Sequence, residues 1–89
     1  MAQETPTVLR ELGLRIREVR RTKGLTQEQA AEALGMLAPN YARIEQGRAN
    51  VTVDTLVRVA NALGVPVGKL FTKPKARKAP PGRPIRTTT

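Results

Sequence analysis

The chain has no cysteine, no histidine and no tryptophan, and it has one tyrosine and one phenylalanine in 89 residues. Without cysteine there is no disulfide, no zinc–thiolate site and no thiol chemistry. Without histidine the commonest general base and metal ligand is missing. Acidic residues number only seven and are scattered, so no catalytic centre, metal site or cofactor is expected. No apolar run approaches the length of a bilayer span, and the N-terminus lacks the basic-then-apolar order of a signal peptide. A single small domain in the cytoplasm follows, with one modest core and no room for a separate small-molecule effector domain.

What the chain does have is positive charge, sixteen Lys and Arg against seven Asp and Glu, a net +9. The excess is uneven. Lys73, Lys75, Arg77, Lys78, Arg83 and Arg86 lie in a C-terminal stretch without a single acid, whereas residues 1–71 are only mildly basic. A polyanion is the partner such a charge suits best, with an anionic membrane surface as the competing reading.

Periodicity divides the rest into helices. Residues 1–7 are polar and expected to be disordered. Leu9, Leu12, Ile16 and Val19 recur at helical spacing, which predicts a first helix from about Val8 to Lys23, closed by Gly24. Thr52 is a plausible N-cap for a helix from Val53 to about Leu63, with Val53, Leu56, Val57, Ala60 and Leu63 as its apolar stripe and Gly64 at its end. Pro66 opens a short turn or helix, Val67 to Phe71. Residues 72–89, with four prolines and few apolar side chains, read as an extended, disordered basic tail.

Between these lies TQEQAAEALGMLAPNYARIEQG, Thr26 to Gly47. Thr26 and Gln29 make a capping box. Ala30, Ala31 and Leu34 mark one helical face, and Gly35 stands where a left-handed C-terminal residue is wanted. A second helix runs through Ile44 and ends at Gly47. Two helices this short cannot stand alone and must dock on neighbours. A basic protein with such a unit usually places the second helix in DNA.

In sum the segments predict an all-α, five-helix domain over residues 8–71. The chain resembles the Cro/repressor-type helix-turn-helix regulators of bacteria and phages. The segments that carry the likeness are LGLRIREVRRTKGLTQEQAAEALG, RIEQGRAN and VTVDTLVRVANALGVPVGKLF, covering roughly residues 9–71. The resemblance implies a compact phage-repressor-type fold, binding to double-stranded DNA, action as a homodimer and a nucleoid-associated location. It also implies an internal ion pair between Arg20 and Glu45, against the alternative of two solvated charges. Gln27, at the first position of its helix, matches a phosphate-binding glutamine; an ordinary polar helix start is the alternative. Ala31, four residues before Gly35, falls where the two helices cross closely.

The recognition helix departs from the family pattern. In a gap-free alignment Leu37 replaces the usual Ser, Thr or Asn cap, and Ala38 and Pro39 replace polar base readers. Lengthening the turn by one residue instead makes Pro39 the first helical residue, a position proline suits; this register, with the helix about Pro39–Gln46, is the favoured one. Ala38 and Pro39 then offer apolar contact to bases, Asn40 an adenine edge or a phosphate, and Arg43 a bidentate grip on guanine. Tyr41, Arg48 and Asn50 are candidates for phosphate contact, Tyr41 also for the core. With so few polar readers, DNA shape and backbone contacts should carry much of the specificity.

Val65, Val67, Leu70 and Phe71 are candidates for a dimer seam or a cap on the monomer core. Pro81-Gly82-Arg83-Pro84 is a partial match to the G-R-P core of a minor-groove hook; a nonspecific polycation fits the tail better. A repressor or autoregulator is the leading expectation. An antitoxin-like or bridging module with a protein partner and secondary DNA binding is the alternative, and an architectural nucleic-acid binder a third.

Overall fold

The computed structural model describes residues 2–72 and Pro74. Lys73 and residues 75–89, with the G-R-P segment and most of the tail's basic side chains, lie outside the described residues. Four α-helices follow in order, α1 (Thr5–Thr22), α2 (Gln27–Leu34), α3 (Ala38–Glu45) and α4 (Val53–Leu63). The fifth expected segment, Val67–Phe71, is a 3-10 helix rather than an α-helix. There is no strand among the described residues.

The helix ends are written into the sequence. Thr26 accepts a hydrogen bond from the Gln29 N–H at 3.0 Å, and the Gln29 side chain accepts one from the Thr26 N–H at 2.9 Å, so two orphan donors are satisfied reciprocally. Thr52 caps α4 by accepting from the Thr55 N–H at 3.0 Å. Gly35 closes α2 at φ 66°, with the Met36 N–H donating to the Ala31 carbonyl at 2.9 Å. A residue with a Cβ is strained in that conformation.

α1 begins three residues before the expected Val8, so residues 5–7 are helical and not part of a disordered N-terminus. Pro6 in the first turn accounts for the early start, because its φ is preset and its missing N–H would have no helical partner there.

The core is one cluster with contributions from every element: Leu12, Ile16 and Val19; Ala30, Ala31 and Leu34; Tyr41 and Ile44; Leu56, Val59, Ala60 and Leu63; and Leu70. Tyr41, Ile16, Leu70 and Val59 are completely enclosed, each such burial stabilising the fold by roughly 1.5–3 kcal/mol. The buried face of α4 differs from the expected stripe. Val53 is 75% exposed and Val57 lies at the solvent edge, while Val59 is fully buried. Both sets have helical spacing, and the packing of α4 against α2 and the 3-10 helix selects between them.

α3 packs on α1 and α2. Its crossing with α1 is set at Gly13, where an added Cβ would meet the Glu45 carbonyl oxygen and stand 2.6 Å from that of Ile44. Neither oxygen can retreat, since both belong to helical backbone. Sequence reasoning did not single out Gly13; a glycine in mid-helix, where it costs about 1 kcal/mol relative to alanine, was the available signal.

Candidate nucleic-acid interface

α3 has two faces. Tyr41, Ile44 and Glu45 are buried, whereas Pro39, Asn40, Arg43 and Gln46 are exposed at helical spacing. Ala38 is half-buried and packs against the core, which limits its reach outward. The helix starts with Leu37 as N-cap and Ala38 as its first residue. The gap-free register therefore applies and the lengthened turn does not; proline in the second position is tolerated because that N–H, too, lacks a helical acceptor. Leu37 makes no side-chain cap bond and is 71% exposed. A large apolar side chain thus stands at the free tip of the helix, a feature to which sequence reasoning assigned no contact.

The other end of α3 is held by a buried polar network. Arg20 Nε donates to Glu45 Oε2 at 2.6 Å, and Arg20 Nη2 to Glu45 Oε1 at 3.2 Å, a two-armed grip with both residues buried. Arg20 Nη1 also donates to the Leu25 carbonyl at 2.7 Å, so one guanidinium ties α1, the start of α2 and the end of α3. Gln27 Nε2 donates to Glu45 Oε1 at 2.9 Å. The glutamine thus serves the ion pair, leaving its side-chain oxygen for other contacts.

The protonation states follow from this geometry. Burial alone would raise the Glu45 carboxyl, but hydrogen bonding from Arg20 and Gln27, with the Tyr41 hydroxyl close by, holds it below the usual carboxylate range. The Glu45 hydrogen bond raises Arg20 against an opposing effect of desolvation. Tyr41 is fully enclosed beside this pair, with no well-formed hydrogen bond to its hydroxyl. Burial first, then the adjacent Glu45 carboxylate, push its ionisation far above that of a free phenol. Tyr41 is consequently not a phosphate contact; it belongs to the core.

Of the remaining candidates, Arg48 and Asn50 are exposed in the loop after α3. Leu70 is 1% exposed and belongs to the monomer core, so it cannot form a dimer seam. Val65 packs against that core, while Val67 and Phe71 are exposed, Phe71 by 60%. Among the described residues no group of acidic side chains has metal-site geometry, and no helix is long and apolar enough to cross a membrane.

A glycine-hinged helix pair whose second member is locked on one face and open on the other defines a helix-turn-helix protein. Residues 11–70 match the family described as the helix-turn-helix domain, and the chain belongs to it. It is 41% identical over 61 residues to an uncharacterized HTH-type transcriptional regulator, y4dJ, of Sinorhizobium fredii, covering 68% of this chain and 79% of that protein. Over 58 residues it is 38% identical to the control protein C.SmaI of Serratia marcescens, covering 65% of this chain and 69% of that one. Among solved structures, the restriction-modification controller protein C.AhdI of Aeromonas hydrophila superimposes with a TM-score of 0.69 at 35% identity, over 71% of this chain and 96% of that chain.

Proposed function

We propose that this protein is a sequence-specific double-stranded DNA-binding transcriptional regulator, a repressor or autoregulator, acting as a homodimer with α3 in the major groove. The observation that carries the reading is the division of α3. A buried ion pair and core fix its inner face, leaving Asn40 and Arg43 on a rigid exposed face. Rigid placement is what base-edge recognition requires, since a bidentate arginine–guanine contact discriminates by about 1–3 kcal/mol only when it is well aimed. A control protein and a restriction-modification controller protein among the similar proteins support a regulatory role.

In this reading Arg43 reads guanine, Asn40 reads adenine or holds a phosphate, and Pro39 with Leu37 offers van der Waals contact of the kind thymine methyl groups accept. Gln27, Arg48 and Asn50 contact backbone phosphates. Val67 and Phe71 lie in the dimer seam, and two copies present α3 to successive major grooves about 34 Å apart. The tail's basic residues add affinity by counterion release.

Selection of duplexes from a random pool by the full-length protein tests the proposal. Recovery of a palindrome with half-sites one helical turn apart is expected. A pool without preference would refute specific regulation and favour an architectural binder; co-purification with a protein partner in place of DNA would favour the bridging module.

A further inference from the structure

A second cationic surface lies outside the exposed face of α3. Arg10 and Arg17 of α1, Gln27 at the start of α2, and Glu45 and Arg48 around the end of α3 line one shallow hollow. Arg10 and Arg17 are seven residues apart in α1, two helical turns, so they share a face. Gly47 fixes that face against the end of α3. A Cβ added there would stand 2.8 Å from Arg10 Cα, so the two backbones touch where the hollow forms.

The charge in the hollow is not balanced from within. Arg20 and Gln27 already engage both oxygens of Glu45. Arg10, Arg17 and Arg48 are exposed and in no ion pair among the described residues; Arg10 makes one long bond, 3.4 Å, to Thr7 Oγ1. Three like charges on one concave wall repel one another, and an anion laid between them relieves that repulsion. Gln46, three residues beyond Arg43 on the open side of α3, borders the same hollow, so the arginine wall is continuous with the face assigned to the major groove.

We propose that Arg10 and Arg17 extend the nucleic-acid interface onto α1, where with Arg48 they clamp consecutive backbone phosphates beside the groove that α3 enters. This inference rests on the DNA-binding reading above and adds a second, sequence-independent rail to it. Backbone phosphates suit the hollow better than a small enclosed anion because it is open and its cations are spread over two helical turns.

The test compares two double variants of the full chain that lose the same charge. R10Q/R17Q removes the rail, and K23Q/K69Q removes two exposed cations that do not line the hollow. Binding to a 30-base-pair duplex recovered by selection is measured against salt, with thermal melting to verify that both fold. The expected result for R10Q/R17Q is a salt-dependence slope smaller by about 2 per bound protomer, about 4 for a homodimer, and an affinity lower by about tenfold or more near 0.1 M salt, with base preference unchanged. K23Q/K69Q should change the slope by well under 1. Equal effects of the two variants, or an unaltered slope for R10Q/R17Q, overturn the inference. So would saturable shifts of the Arg10 and Arg17 side-chain resonances with inorganic phosphate but none with duplex, which would assign the hollow to a free anion. If the wild type shows no preference among duplexes, the regulator reading fails, yet the slopes on random duplex still decide whether the rail exists.

Discussion

The two ends of α3 are built on opposite terms. Its C-terminal end is enclosed: Glu45 is gripped by Arg20 and Gln27, Tyr41 and Ile44 lie in the core, and the last carbonyls rest on Gly13. Its N-terminal tip is bare, with Leu37 exposed, no side-chain cap and Pro39 in the first turn. The contrast separates two jobs. One end sets the direction of the helix relative to the body of the protein, and the other end meets the outside. Replacement of the buried residues at the anchored end must therefore be felt as stability, and of the exposed residues at the tip and along the open face as selectivity.

The largest expected effect breaks the anchored end. Glu45→Ala leaves Arg20 buried without its partner and should cost about 3–5 kcal/mol of folding stability, read by denaturant unfolding. A loss below about 1 kcal/mol would mean the pair behaves as a surface bridge. Next comes Gly13→Ala. Alanine favours the helix by up to about 1 kcal/mol, but the added methyl has only backbone to displace, so a net loss of about 1–3 kcal/mol is expected in the same assay. A stabilised variant would show that α1 and α3 can slide apart.

On the exposed face of α3, which carries Arg43 in the last turn and Leu37 at the tip, the readout changes. Arg43→Ala should leave melting nearly unaltered, cost about 1–3 kcal/mol on the selected site and relax preference at one base pair; an unchanged preference profile would remove Arg43 from the readers. Leu37→Ser should change stability only slightly, with a gain of about 0.5–1 kcal/mol from the cap it supplies. It should also lose discrimination between thymidine and deoxyuridine, which lacks the 5-methyl group, in the selected duplex. A variant that still distinguishes them would deny Leu37 its contact.

The buried network also predicts a pH profile. Glu45 is depressed in the folded state, so its contribution is present at neutral pH and is lost as pH falls through the folded value, below the ordinary glutamate range. Tyr41 is raised, so its contribution is complete below the free-phenol value of 10.0 and declines as pH rises beyond it. Each limb has a limiting slope of about 1.4 kcal/mol per pH unit for one proton. Tyr41→Phe should flatten the alkaline limb; an equally steep limb would place the titrating group elsewhere.

Much of this is legible in the amino-acid sequence. The capping box at Thr26, the stop at Gly35 and the cap at Thr52 are local signals, satisfied within a few residues, and the structure realises each one. The core side of α1 was legible for the same reason. The sequence alone favours Val53 over Val59 because two sets of residues on α4 have helical spacing, and only the neighbours choose between them. The expected start of the recognition helix at Pro39 is one residue late because proline suits the first helical position and is tolerated in the second. Tyr41 could face either way on paper; in the fold it is fully enclosed beside Arg20 and Glu45.

Local chemistry along the chain determined the helices, their limits, the excess of positive charge and the absence of any cysteine or histidine chemistry, because each depends on residues within a turn or two of one another. The tertiary structure alone decided that Gln27 serves Glu45, that Gly13 and Gly47 are close-approach points, that Leu70 is core, and that Arg10 and Arg17 join Arg48. Each of those facts depends on where a distant segment comes to rest, and packing, not propensity, settles that.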